Sequence, residues 1–186
     1  MELTATKYFN PLVERCKKGD NRSFSELYHQ YCKAMFSTCY RLLNNFPEAE
    51  DVLQEAFTDA FRHLHSFEHK SSFGAWLKQI VVNKCITHLR KNKIKFIEIG
   101  EASIEDLPGE EEEINESEIE CRIQEVKEAI QQLPTGYRTV LSLYLLEGYD
   151  HEEIAEILGI THSTTRTQYK RAKDKLLLIL KNGVVS

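Results

Sequence analysis

Hydroxyls and cations recur at helical spacing near the C-terminal end of the sequence: Ser163, Arg166, Thr167, Lys170 and Arg171. Side chains three and four residues apart share one helical face, and this set suits contact with phosphate oxygens and base edges in a DNA major groove. Residues 163–181 hold six Lys or Arg against one acid, Asp174. A second set is acidic: Glu48, Asp51, Gln54, Glu55, Thr58 and Asp59 lie at the same spacing with no base among them. That face is either simply solvated or made for a basic partner. A third set is the run 84–95, five bases with no acid. None of this is catalytic chemistry. The seven histidines form no spaced ligand set, the five cysteines include no CxxC pair, and no glycine-rich phosphate loop or nucleophile elbow is present. The expectation is a binding protein, not an enzyme, with no cofactor, metal or small-molecule substrate.

The C-terminal set needs a helix to carry it and a second element to seat that helix. From Tyr149 the sequence runs YDHEEIAEILGITHSTTRTQYKRAKDKL. Asp150 is suited to an N-cap with Glu153 as its capping-box partner, Ile154, Ala155, Ile157 and Leu158 supply an apolar face, and Gly159 suits a left-handed C-cap. Thr161 is the next cap. Thr165, Tyr169, Ala172, Leu176 and Ile179 form the inward stripe of the following helix. Two short helices around a tight turn, the second basic, predict a helix-turn-helix. A helical hairpin with a solvated basic face fits the same residues, and some helix-turn-helix units bind protein.

The N-terminal part reads as helix nearly throughout. Asn10 and Pro11 signal a short helix ending near Gly19, residues 24–42 carry the stripe of a long second one, and Pro47 starts a third. In that third helix Ala49, Val52, Leu53, Ala56, Phe57, Ala60, Phe61 and Leu64 point inward. After a polar turn at 67–72, Phe73, Trp76, Leu77, Ile80, Val81, Cys85, Ile86 and Leu89 mark a fourth helix whose other face holds Lys78, Asn83, Lys84, Thr87, Arg90 and Lys91. Phe73 and Trp76 are assigned to the core. The tip formed by Glu68, His69, Lys70, Ser71 and Ser72 is the better candidate for contact with a displaced base.

The net charge of −5 hides a segregation. Residues 101–120 carry ten acids and no base, whereas residues 1–100 carry 15 bases and 11 acids, and 121–186 nine bases and eight acids. With Gly100, Pro108 and Gly109, the acidic segment has the composition of a flexible linker. It is either a solvated tether or an extended strand able to occupy a basic channel. The expected organisation is all-α: a helical domain over 1–96, an acidic linker over 97–120, and a helix-turn-helix domain over 121–186. No span approaches a transmembrane helix, no signal peptide opens the chain, and the unpatterned cysteines suit a reducing cytoplasm.

In order and spacing, the segments FSELYHQY, PEAEDVLQEAF, FGAWLKQIVVNKCITHLRK, the acidic linker, and LPTGYRTVLSLYLLEGYDHEEIAEILGI with its basic helix resemble a bacterial sigma factor of the extracytoplasmic-function group. The resemblance spans residues 24–178. It implies an alternative sigma factor that binds core RNA polymerase, directs promoter recognition and DNA melting, and has an anti-sigma factor as a further partner. Asp51, Gln54 and Glu55 would grip the polymerase clamp. Glu68, His69, Lys70, Ser71, Ser72, Asn83, Lys84 and Arg90 would engage the minus-10 element. Thr161, Ser163, Thr164, Arg166, Thr167, Lys170 and Arg171 would meet the minus-35 duplex. Tyr137, Val140, Leu141, Leu143, Tyr144 and Leu145 would pack beneath the helix-turn-helix, and the linker would thread toward the polymerase active-site and RNA-exit region.

Three positions depart from the family pattern: Thr165 replaces an apolar residue, Gln168 an arginine and Thr87 an aspartate. The promoter sequence therefore does not transfer by analogy. Two other classes compete. A ligand-sensing or dimerising helix-turn-helix regulator would not require the LQEAF helix followed by a basic one. A pure interaction protein, such as an adaptor or anti-sigma partner, would have no use for two basic faces.

Overall fold

The structure, a computed structural model, describes residues 7–92 and 116–183. The chain divides into two compact units, Met1–Lys93 and Ile94–Ser186. Every element among the described residues is helical, in agreement with the all-α expectation.

The first unit contains α1 (Pro11–Lys17), α2 (Asn21–Leu43), α3 (Phe46–Arg62), a 3-10 turn (Leu64–Ser66) and α4 (Phe73–Lys91). Its helix starts are written in local chemistry. The Asn10 side chain accepts the Leu12 amide at 3.0 Å, Asp20 accepts Arg22 at 3.1 Å, Asn45 accepts Glu48 at 3.2 Å and the Ser72 hydroxyl accepts Ala75 at 3.2 Å. Each such cap contributes about 1 kcal/mol by satisfying an amide that the helix leaves open. Asn44, left-handed at φ 55, lets the chain reverse between α2 and α3. Leu27, Cys39 and Leu42 of α2 are buried with Leu77, Val81 and Cys85 of α4. Ala49, Ala56 and Ala60 give α3 a smooth, wholly buried side, so the three helices pack closely. Phe73 is buried, as expected, while Trp76 is only partly covered.

The second unit contains α5 (Glu116–Gln132), α6 (Thr135–Leu145), α7 (His151–Leu158) and α8 (His162–Gly183). Ile130, Leu133, Leu141 and Ala172 centre its core, with Val126, Tyr137, Tyr169, Leu176 and Ile179 packed around them. Arg138 is buried to 4 % exposure, and its guanidinium donates to the Leu133 carbonyl at 2.9 Å and the Thr135 hydroxyl at 3.3 Å, joining α5's end to α6's start.

Two expectations are revised. Residues 97–115 of the expected linker lie outside the described residues, but 116–120, assigned to the same linker, are the first turns of α5. Acids are favoured where a helix N-terminus leaves its amides open, so an acid-rich tract marks a helix start as readily as a tether. Leu145, expected beneath the helix-turn-helix, is 51 % exposed, whereas Val140, Leu141 and Leu143 are fully buried and Tyr144, 37 % exposed, still lays its ring against His151 and Tyr169. The run VLSLYLL is longer than one helical stripe, and its surplus faces outward.

Candidate functional site

The helix-turn-helix is assembled by the local signals that predict it. The Asp150 carboxylate accepts the Glu152 and Glu153 amides at 2.8 Å each, and Glu153 returns to the Asp150 amide at 2.8 Å, completing the capping box. Gly159 closes α7 at φ 65. The Thr161 hydroxyl then accepts the Thr164 amide at 3.1 Å and lies 2.8 Å from the Thr164 hydroxyl, starting α8. Thr165 is fully buried and its hydroxyl donates to the carbonyls of His162 (2.8 Å) and His151 (3.2 Å), so a polar residue at a position expected to be apolar stays satisfied and ties α8 to α7. Gln168, at 2 % exposure, also belongs to the interior.

The outer face of α8 carries Ser163, Arg166 and Lys170 exposed, with Thr167 and Arg171 partly exposed beside them. Thr161 and Thr164 stand at its N-terminal end, where their hydroxyls serve the cap. The seven residues expected to meet duplex DNA therefore form one continuous surface.

Behind that surface lies an aromatic cluster that the sequence alone did not single out. His151 stacks on Tyr144 with ring centres 4.5 Å apart and planes at 19°, Tyr169 lies 4.6 Å from Tyr144, and His162 sits edge-on to His151 at 6.0 Å. Burial holds the His151 imidazole below its ordinary pKa, and the nearby His162 and Arg166 add to the effect. Tyr149, pushed up to about 12 by burial and then by Glu147 and Glu153, stays protonated.

In the first unit, Asp51, Gln54 and Glu55 are all exposed along α3 and line one shallow concavity with Thr58, Asp59, Arg62 and Lys84. Lys84 was expected on a separate, DNA-facing surface. Its ammonium lies 2.6 Å from Asp59 and 3.7 Å from Glu55. The ammonium holds the Asp59 carboxyl below the usual range, and the carboxylate raises Lys84 in turn. His88 pairs with Glu48 at 2.8 Å across the same two helices. The α3 acids are free of bases in sequence but not in space, because α4 brings them across the helix interface.

The 68–72 tip is shaped from inside. His69, left-handed at φ 55, turns inward: one ring nitrogen lies 2.8 Å from Glu14 and the other 3.3 Å from the Tyr8 carbonyl, with the ring against Phe67. Lys17 donates to the Phe67 carbonyl at 2.8 Å and pairs with Glu14 at 3.1 Å. His69 first, then Lys17, draws the Glu14 carboxyl below its usual pKa. Glu68 and Lys70 are outward and paired with each other, Ser71 is partly exposed, and Ser72 spends its hydroxyl on the α4 cap. Asn83 and Arg90 are exposed on α4, and Asn83 borders a second concavity with Trp76, Ile80, Thr87, His63, Asp59 and Lys84.

Comparison with known proteins follows the same two units. The Sigma-70 region 2 family matches residues 27–94, and the Sigma-70 region 4 family matches residues 123–176. The RNA polymerase sigma-H factor of Pseudomonas aeruginosa is 33% identical over 177 residues, covering 89% of this chain and 90% of the relative. The ECF RNA polymerase sigma factor SigW of Bacillus subtilis is 31% identical over 175 residues, covering 88% and 92%. The fold is also that of the sigma factor RpoE solved with the anti-sigma factor NepR from Bartonella quintana (TM-score 0.55, 24% identity, 86% and 98% of the chains covered). The chain belongs to the extracytoplasmic-function sigma factors of bacterial RNA polymerase. It is an alternative sigma factor that acts with core RNA polymerase on promoter DNA to direct transcription initiation. Sigma factors are initiation factors and not enzymes. No helix among the described residues is long and apolar enough to cross a membrane.

Proposed function

We propose that the two units of this sigma factor divide the work between them. The first docks on core polymerase and opens the minus-10 element, and the second holds the minus-35 element as duplex. The α3 face with Asp51, Gln54 and Glu55 is the polymerase side, because exposed carboxylates along a helix suit a partner rich in arginine. Asn83, Arg90 and the tip residues Glu68, Lys70 and Ser71 face the minus-10 strand, with His69 and Ser72 holding the tip in shape. Thr161, Ser163, Thr164, Arg166, Thr167, Lys170 and Arg171 face the minus-35 duplex. The protein works in the cytoplasm, where core polymerase and promoters are, and has no catalytic activity of its own. It is held in check by an anti-sigma factor, the kind of partner with which RpoE of Bartonella quintana was solved.

One observation carries this reading: an exposed Arg166 and Lys170 seated by a complete capping box and a left-handed Gly159 in one unit, with an exposed acid stripe in the other. Co-purification with core RNA polymerase followed by run-off transcription on genomic fragments tests it. Stable association and initiation at discrete sites are expected, and failure to associate with core would sink it.

A further inference from the structure

Lys84 stands where two concave surfaces of the first unit meet. On one side are Asp51, Gln54, Glu55, Thr58, Asp59 and Arg62, and on the other Trp76, Ile80, Asn83, Thr87 and His63, with Asp59 and Lys84 common to both. Its ammonium is 2.6 Å from Asp59 and 3.7 Å from Glu55. Asp59 has a second cation, Arg62, at 3.5 Å. We propose that Lys84 is a reserved cation: Glu55 and Asp59 hold it in the free protein, and a polymerase arginine that takes those carboxylates hands it over to promoter phosphate. This rests on the reading of the α3 face as the polymerase side.

The handover is an exchange of ion pairs. An ammonium already bonded to a carboxylate adds little to phosphate neutralisation, so Lys84 is nearly silent toward DNA in the free chain. The pair is nonetheless weak, because Glu55 is 66 % exposed, Asp59 33 % and Lys84 30 %, and water screens it. An arginine fork makes paired, planar bonds to carboxylate that one ammonium does not match. Arg62 remains beside Asp59 after the exchange, so releasing Lys84 leaves no bare charge. Docking and DNA affinity are thereby coupled through one side chain, with no change of fold.

The test uses the full chain, alone and bound to core RNA polymerase, with a fluorescent fork-junction DNA as probe and Trp76 fluorescence as the check that the first unit is folded. In the free chain Lys84→Gln is expected to leave binding unchanged. Asp59→Asn is expected to tighten binding several-fold beyond the control Asp51→Asn, which removes one acid without freeing Lys84, and to steepen the log-log salt slope by about one unit. Adding Lys84→Gln abolishes the gain in the Asp59→Asn background and changes nothing in the Asp51→Asn background. In the holoenzyme, Lys84→Gln lowers the slope by about one unit relative to wild type. An equal effect of Lys84→Gln in free chain and holoenzyme, or no effect in either, overturns the handover while leaving polymerase docking intact. A wild-type chain that forms no holoenzyme overturns both.

Discussion

Arg166 and Lys170 lie on one exposed face, yet from their positions along α8 we expect different work of them. Arg166 sits in the first turns, where a guanidinium can meet guanine with two bonds, and Lys170 a turn later, where an ammonium meets phosphate as a point charge. Arg166→Ala is expected to cost about 1–3 kcal/mol on the preferred minus-35 sequence and to relax discrimination at one position, while Lys170→Ala weakens all sequences alike and flattens the salt slope by about one unit. A base-substitution series with both variants measures this, and uniform loss for Arg166→Ala would move base readout to Ser163, Thr164 and Thr167. His151 behind them gives the second unit a pH dependence. Its folded-state pKa is depressed, chiefly by burial, so the unfolded chain binds the proton more readily. The contribution is therefore fully present above the ordinary histidine value of about 6.5 and is lost as pH falls through the folded-state value. His151→Phe keeps the stack on Tyr144 and is expected to flatten that loss. Urea titrations followed at the Ile154 and Leu158 amides, at pH 7.5 and pH 5, would show it, and an unchanged pH slope would remove His151 as the cause.

At the scale of the element, α3 is two helices in one. Its buried side is small and apolar at Ala49, Ala56 and Ala60, which fixes how closely α2 and α4 approach, and its outer side leaves Asp51, Gln54 and Glu55 exposed. Reversal of Asp51 and Glu55 to Lys is expected to weaken association with core polymerase. Because both are exposed, the change in stability stays within about 0.5 kcal/mol per site. Competition binding against wild type, with Trp76 fluorescence reporting the fold, separates the two quantities. Undiminished binding by a folded double variant would mean that the docking face lies elsewhere.

Over the whole molecule the dominant feature is charge segregation. The ten acids of residues 101–120 outweigh the combined net charge of +5 carried by the two flanking segments, so the intact chain is expected to bind duplex promoter DNA weakly. Replacing those ten acids by Gln or Asn in the full chain should raise affinity for DNA and steepen its salt dependence, since each further phosphate neutralised adds roughly 0.9 to the log-log slope. Titration across 50–300 mM salt measures it. Equal binding by the two chains throughout would show that these acids do not shield the basic faces.

Much of this protein is local, and the local part is legible in the sequence. The Asp150–Glu153 box, the left-handed Gly159, the Thr161 cap and the inward stripe from Thr165 to Ile179 follow from chemistry within four residues of each site, so helix-turn-helix and basic face could be placed from residue types alone. The same holds for Asn10, Pro11 and the apolar stripe of α3. What one helix lends another is not local. Lys84 lies 25 positions after Asp59, and only the packing of α4 on α3 brings the ammonium to the carboxylate. His69 lies 55 positions after Glu14, and that contact turns an apparent surface loop residue into an internal strut. An apolar stripe also does not rank its own surplus: every apolar side chain of LSLYLL qualifies for the core, and the neighbouring helices alone left Leu145 and Leu146 outside. Periodicity assigns faces to a helix, but the pairing of charges across helices depends on distances that exist only after the helices have packed.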